Sequence, residues 1–155
     1  MDVFEIERNP AELGRLRHAI ADALRSERVA EGLTADVMLV ASELASNAVE
    51  SAASDSIKIG LHVRLSSDRQ DVVISVANAG TWLSRDVGTF VLPDAAQARG
   101  RGLAIARSLS EHFSVCTVRG RTVAVAHLAR VGYPVGSESM WSTTSRPVRA
   151  KSARI

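Results

Sequence analysis

Cysteine is almost absent: Cys116 stands alone among 155 residues, so neither an intrachain disulfide nor a zinc knuckle can be assembled. Aromatic residues make up only 4%, too few for a platform on which single-stranded nucleic acid would stack. No apolar run approaches the ~18 residues that a membrane span needs. The opening MDVFEIERNP is acidic where a secretory signal would be basic. Together these absences lead to the expectation of a cytoplasmic, reducing location, with no membrane partner. A dominant charge is lacking as well, since Lys plus Arg is 19 against 17 for Asp plus Glu. The surplus sits in residues 134–155, where Arg146, Arg149, Lys151 and Arg154 oppose only Glu138. Residues 1–133 are nearly neutral, which argues against nucleic acid as a partner. The four histidines, His18, His62, His112 and His127, have no metal-site spacing and read as structural or surface residues. Cys116 alternates with Val115 and Thr117 and reads as a core or interface residue.

What is present is the composition of one globular domain, 46% hydrophobic and 23% charged. Val3 to Glu7 alternates as a short edge strand. Asn9-Pro10 predicts a helix start, and Leu13, Leu16, Ile20 and Leu24 recur at helical spacing until Gly32 stops them. Thr34 is placed to cap a second helix with the stripe Val37, Val40/Ala41, Leu44 and Ala48, ending near Ser51 to Ser54. Ile57 to Leu65 is the clearest strand, with Ile57, Ile59, Leu61, Val63 and Leu65 on one face. After a polar connection from Ser66 to Asp71, the strand Val72 to Ala77 carries Val72, Ile74 and Val76 in a phase that continues to Asn78. Residues 79–99 lack periodicity and read as a long functional loop. A third helix is expected over Gly102 to Phe113, then a hairpin of Val115–Val118 and Thr122–Leu128. From Pro134 on, Ser, Thr, Arg and Pro dominate, giving a domain of 1–133 and a basic disordered tail of 134–155. Such an order predicts an α+β two-layer sandwich: a mainly antiparallel mixed sheet with three helices on one face.

Three sites can carry chemistry. Glu43 and Asn47 lie four apart on the second helix, where a carboxylate and an amide could hold Mg2+ through oxygen and orient a nucleophile for phosphoryl transfer. The same pair also fits an ordinary solvated helix face. Arg99-Gly100-Arg101-Gly102-Leu103 puts two glycines at a helix start, where free backbone amides bind anions, although a plain helix-entry turn has the same form. Asn78-Ala79-Gly80 ends a strand with turn residues.

Taken in order, these segments resemble the ATPase superfamily of gyrase, heat-shock chaperone, histidine kinase and mismatch-repair proteins, with its Bergerat-type ATP-binding fold. The nearest likeness is to the stand-alone anti-sigma factor serine kinases. Leu39-Val40-Ala41-Ser42-Glu43-Leu44-Ala45-Ser46-Asn47-Ala48-Val49 is similar to that family's N box. Asn78-Ala79-Gly80 stands where its Asp-x-Gly box falls, Gly100-Arg101-Gly102-Leu103 where its Gly-x-Gly-Leu box falls, and Gly120-Arg121-Thr122-Val123 where a Gly-x-Thr element precedes the last strand. The resemblance covers roughly residues 3–130. It implies ATP and Mg2+ as cofactors, Glu43 as general base and Asn47 as Mg2+ ligand. It further implies Gly100, Arg101, Gly102 and Leu103 around the triphosphate, Asn78, Gly80 and Thr122 at the adenine, and a lid over Thr81 to Arg99. Two departures stand out: the adenine-reading Asp is Asn78, and the glycine usual two places after Gly80 is Trp82. The implied function is a homodimeric regulator that phosphorylates an anti-sigma factor antagonist on serine and sequesters a sigma factor. The alternative is a weak or inactive pseudokinase, serving as a protein-binding module.

Overall fold

The structure, a computed structural model, describes residues 1–66, 68–80, 101–118, 120–131 and 151–154. The expected lid, Trp82 and Gly100 lie outside them. The elements run β1 (Asp2–Glu7), α1 (Glu12–Ser26), α2 (Glu31–Ser51), β2 (Ser56–Leu65), β3 (Arg69–Ala79), α3 (Arg101–Leu109), β4 (His112–Val118), β5 (Arg121–Val131) and β6 (Lys151–Arg154). One sheet joins the strands in the order β4-β5-β3-β2-β1-β6, every pair antiparallel except β1 with β6. The architecture is the α+β sandwich that the patterning predicts.

Period-two alternation drives this layering. Phe4 and Ile6 of β1, Ile57, Ile59 and Leu61 of β2, Val72, Ile74 and Val76 of β3, and Ala124, Ala126 and Leu128 of β5 are all buried on the helical side. The register sets them in rows, with Ile59 opposite Val76 and Val76 opposite Ala124. The central helix α2 contributes Leu33, Val37, Val40, Ala41, Leu44, Ala45, Ala48 and Val49 to that core, against Leu16, Ile20 and Leu24 of α1 and Leu103 and Ala106 of α3. So broad an apolar face belongs to a helix covered by neighbours on both flanks as well as by the sheet.

Several boundaries differ from the sequence reading. The break between α1 and α2 falls at Arg28, in the left-handed region at φ 56, rather than at Gly32. Its amide donates to Arg25 O and that of Val29 to Leu24 O, the paired bonds of a Schellman helix end. Gly32 lies inside the first turn of α2, where a Cβ would collide with the Arg130 guanidinium. Asn9 does initiate the turn before α1, its Oδ1 accepting from the Ala11 amide at 3.0 Å, but regular helix begins only at Glu12. Further along the chain, α3 stops at Leu109 instead of continuing to Phe113. The Glu111 amide donates to His127 O, and the chain joins the sheet from His112 on. Of the segment 134–155, expected to be disordered, Lys151–Arg154 forms β6 beside β1. Among the described residues, no helix is long and apolar enough to cross a membrane.

Candidate functional site

Asn78 ends the buried series of β3 and keeps its phase, so it faces the helical layer, 3% exposed. It stands opposite Ile57 on one side and Thr122 on the other. Its Nδ2 donates to Ala79 O at 3.3 Å. The next turn of chain is tied down from three directions. Gly80 N donates to Gly120 O at 3.0 Å, Thr122 Oγ1 donates to Gly80 O at 2.6 Å, and Ala53 N donates to Ala79 O at 2.6 Å. Thr117 Oγ1 lies 2.9 Å from Thr122 Oγ1; because the single Thr122 proton goes to Gly80, Thr117 is the donor there. Thr122 is fully buried, and its hydroxyl therefore fixes the strand end through Gly80.

Gly80 is required twice over. Its φ is +130, and a Cβ there would lie 2.6 Å from Ser51 O and 3.0 Å from Ala53 N, both of them backbone at the end of α2. The Asn78-Ala79-Gly80 box is thus packed against the last turn of α2. One turn back along that helix is Asn47, and one further turn back is Glu43. From residue 43 to 51 the helix rises about 12 Å.

Glu43 and Asn47 are both half-buried. The Asn47 Nδ2 is buried without a hydrogen-bond partner among the described residues. A buried amide in that state costs free energy unless a polar ligand arrives. Glu43 meets α3: a Cβ on Gly102 would lie 2.3 Å from Glu43 Oε2 and 3.2 Å from its Cβ. The bare Cα of Gly102 therefore lets the first turn of α3 close on the carboxylate, at the positive end of that helix. Leu103 and Ala106 anchor the same helix in the core beneath. Arg101 begins α3.

Of the residues singled out in the sequence, Glu43, Asn47 and Gly102 come together along one face of α2, and Asn78, Gly80 and Thr122 gather at its C-terminal end. Gly100 lies outside the described residues. Sequence reading missed the supporting roles of Ser51 and Thr117, polar residues with no motif signal of their own. The unpartnered Asn47 Nδ2 is a donor and suits an acceptor such as a phosphate oxygen, while the amide oxygen is the atom of that side chain able to ligate a divalent cation. Among the described residues, no group of three His, Cys, Asp or Glu side chains converges to hold one by itself.

A second polar cluster lies on the opposite face of the sheet. Asp71, expected in a turn, is instead a buried residue of β3, only 5% exposed. Arg69 Nε donates to its Oδ1 at 2.8 Å, His127 Nε2 lies 2.9 Å from the same oxygen, and Arg64 Nη2 is 3.5 Å from Oδ2. His112 stacks on His127 with ring centroids 5.8 Å apart. The Arg69 hydrogen bond, against the opposing effect of burial, holds the Asp71 carboxyl below its ordinary pKa. A depressed carboxylate adds stability that is present above the unfolded value of about 4 and is lost as pH falls through the folded value. Asp71→Asn should therefore lower the melting temperature at neutral pH and flatten the loss of stability below about pH 4. An acid limb in calorimetry unchanged by the substitution would count against this.

A strand-end turn sealed by glycine, a helix bearing Glu and Asn one turn apart and a glycine-opened helix closing on that Glu are thus brought together along α2. The chain belongs to the histidine kinase-like ATPase domain family, whose model matches residues 6–127. Among solved structures it is similar to the RsbU and RsbW domains of Rv1364c from Mycobacterium tuberculosis. That likeness is 19% identical with a TM-score of 0.58, covering 85% of this chain and 33% of the other. The chain thus spans about a third of the length of that structure, and the likeness concerns the fold. The SiaB-SiaC complex from Pseudomonas aeruginosa also matches, at 14% identity and a TM-score of 0.47, over 83% of this chain and 89% of that one. No curated protein matches.

Proposed function

We propose that residues 1–133 bind ATP with Mg2+, transfer its terminal phosphoryl group to a serine of an anti-sigma factor antagonist, and sequester a sigma factor. The observation that carries this reading is the line of groups along α2. Gly80 and Asn78 sit at one end, Asn47 with its unpartnered Nδ2 in the middle, and Glu43 under Gly102 at the other. An extended nucleoside triphosphate has a length of this order, with the base at Asn78 and the phosphates toward Asn47 and α3. Asn78 offers a carbonyl oxygen to an exocyclic amine, without the charge that Asp would add. Asn47 contributes an amide oxygen ligand to Mg2+, which when bound neutralises charge on the phosphates. Gly100, Arg101, Gly102 and Leu103 would surround the phosphates, the helix start presenting its free amides.

In the transfer, the acceptor serine oxygen bonds to the terminal phosphorus as the bridging oxygen bond to ADP breaks, and the serine proton passes to Glu43. One domain of the similar mycobacterial structure is named RsbW. A homodimer through the sheet face opposite the helices fits the half-buried Val73, Ala77, Val123 and Val125 that line it. Val125→Arg should then turn a dimer into a monomer in light scattering without unfolding it, whereas an unchanged mass would place the contact elsewhere.

A second reading is favoured by Asn78 and by the Thr122 hydroxyl already engaged with Gly80. On it, the fold serves as a binding module without turnover. Incubation of the purified protein with Mg2+, ATP and a candidate antagonist separates the two. Phosphoserine detected by mass spectrometry supports the kinase, and complex formation without phosphorylation supports the module.

A further inference from the structure

Without Lys151–Arg154, β1 would be the edge of the sheet. β6 instead runs parallel to it, with Asp2 opposite Lys151, Val3 opposite Ser152, Phe4 opposite Ala153 and Glu5 opposite Arg154. At both ends of the ladder an acidic position on β1 thus faces a basic position on β6. Slipping the pairing by one residue either way would set Asp2 and Glu5 opposite Ser152 and Ile155, or opposite Ala150 and Ala153, and lose both matches. One other register pairs two basic residues three apart with Asp2 and Glu5, using Arg146 and Arg149. It would bring Pro147 opposite Val3, and proline has no amide to give to a ladder. Charge and proline together therefore select the observed register.

The reach is equally favourable. By the strand directions, β5 ends at the same end of the strands, top or bottom of the sheet, at which β6 begins. The two are separated by four strand spacings, about 19 Å. The 19 residues 132–150 that connect them can reach at most about 65 Å fully extended, so the chain length permits the connection. A covalent connection long enough to span the gap makes pairing in cis an intramolecular event, with an effective concentration that a separate segment lacks.

We propose that the outer edge of β1 is a strand-docking site for a short basic segment, and that its occupant is this chain's own Lys151–Arg154, held in cis. The segment the edge accepts is extended, with basic residues three apart and no proline between them. Docking covers backbone groups that would otherwise template pairing with another chain, and gives the basic C-terminal segment a role separate from the nucleotide site.

Hydrogen exchange on the full chain, at several protein concentrations, tests this. Amides of 151–154 should be protected independently of concentration. Exchange there should be about tenfold faster in Lys151→Glu/Arg154→Glu, where like charges face each other, while amides of β3 and β5 keep their protection. Glu5 also accepts from Ser56 Oγ, so the rescue is made at the other pair. Asp2→Lys in the Lys151→Glu background should restore protection lost in Lys151→Glu alone. Unprotected 151–154 amides in the natural chain would overturn the proposal, as would charge reversal without effect or a failed rescue. Protection that vanishes on dilution would overturn the cis arrangement in favour of a second copy.

Discussion

Glu43→Ala should abolish phosphoryl transfer while leaving Mg2+-ATP bound. Glu43 contacts the first turn of α3 through the space that a Gly102 side chain would fill, and it accepts a proton in the proposed transfer rather than holding the nucleotide. Loss of a general base costs about 10²–10⁴-fold in rate. The effect should therefore fall on turnover, with the affinity for ATP little changed. Gly102→Ala provides an independent check. Its Cβ would displace the Glu43 carboxylate and press on Glu43 Cβ at 3.2 Å, so transfer should slow, and because Gly102 is among the residues proposed around the phosphates the affinity for ATP should fall with it. Parallel loss of binding and turnover in Glu43→Ala would mean that Glu43 acts as a structural residue.

The largest effect on stability is expected at Gly80. An alanine there must adopt φ +130 and bring its Cβ to 2.6 Å from Ser51 O, a backbone atom that cannot swing aside. Strain in this backbone region costs about 1–3 kcal/mol before the collision is counted. Gly80→Ala should therefore destabilise by about 3 kcal/mol or more, enough to lower the melting temperature on the order of 10 °C in a domain of this size. Because the same contact joins the Asn78 box to the end of α2, nucleotide affinity should fall with it. A variant with unaltered thermal stability would show that this junction is not the fixed point of the site.

Much of this architecture is legible in the sequence because burial repeats with the period of the backbone. The alternation from Ile57 to Leu61 and from Val72 to Val76 identifies the buried side of both strands, and extending the second phase by one step places Asn78 among the helices. The Glu43 and Asn47 spacing likewise predicts a shared face on α2. What escapes such reading depends on distant partners. Arg28 ends α1 in a conformation usually signalled by glycine, while Gly32 is small because Arg130 approaches it. Leu109 and Phe113 have helical spacing, yet Phe113 reaches the core from β4. Asp71 looks like a turn residue until Arg69, Arg64 and His127 are brought around it. Thr122 carries a motif signal, but only the fold shows that its hydroxyl is directed to Gly80.

Whether the face of α2 from Glu43 to Ser51 holds Mg2+-ATP is decided by calorimetric titration of the purified chain with ATP, with and without Mg2+. The expected result is saturable binding that Mg2+ strengthens, loss of that Mg2+ dependence in Asn47→Ala, and tighter binding in Asn78→Asp, by roughly 1–2 kcal/mol for the restored charge-assisted bond. No measurable ATP binding by either the natural chain or Asn78→Asp would contradict it.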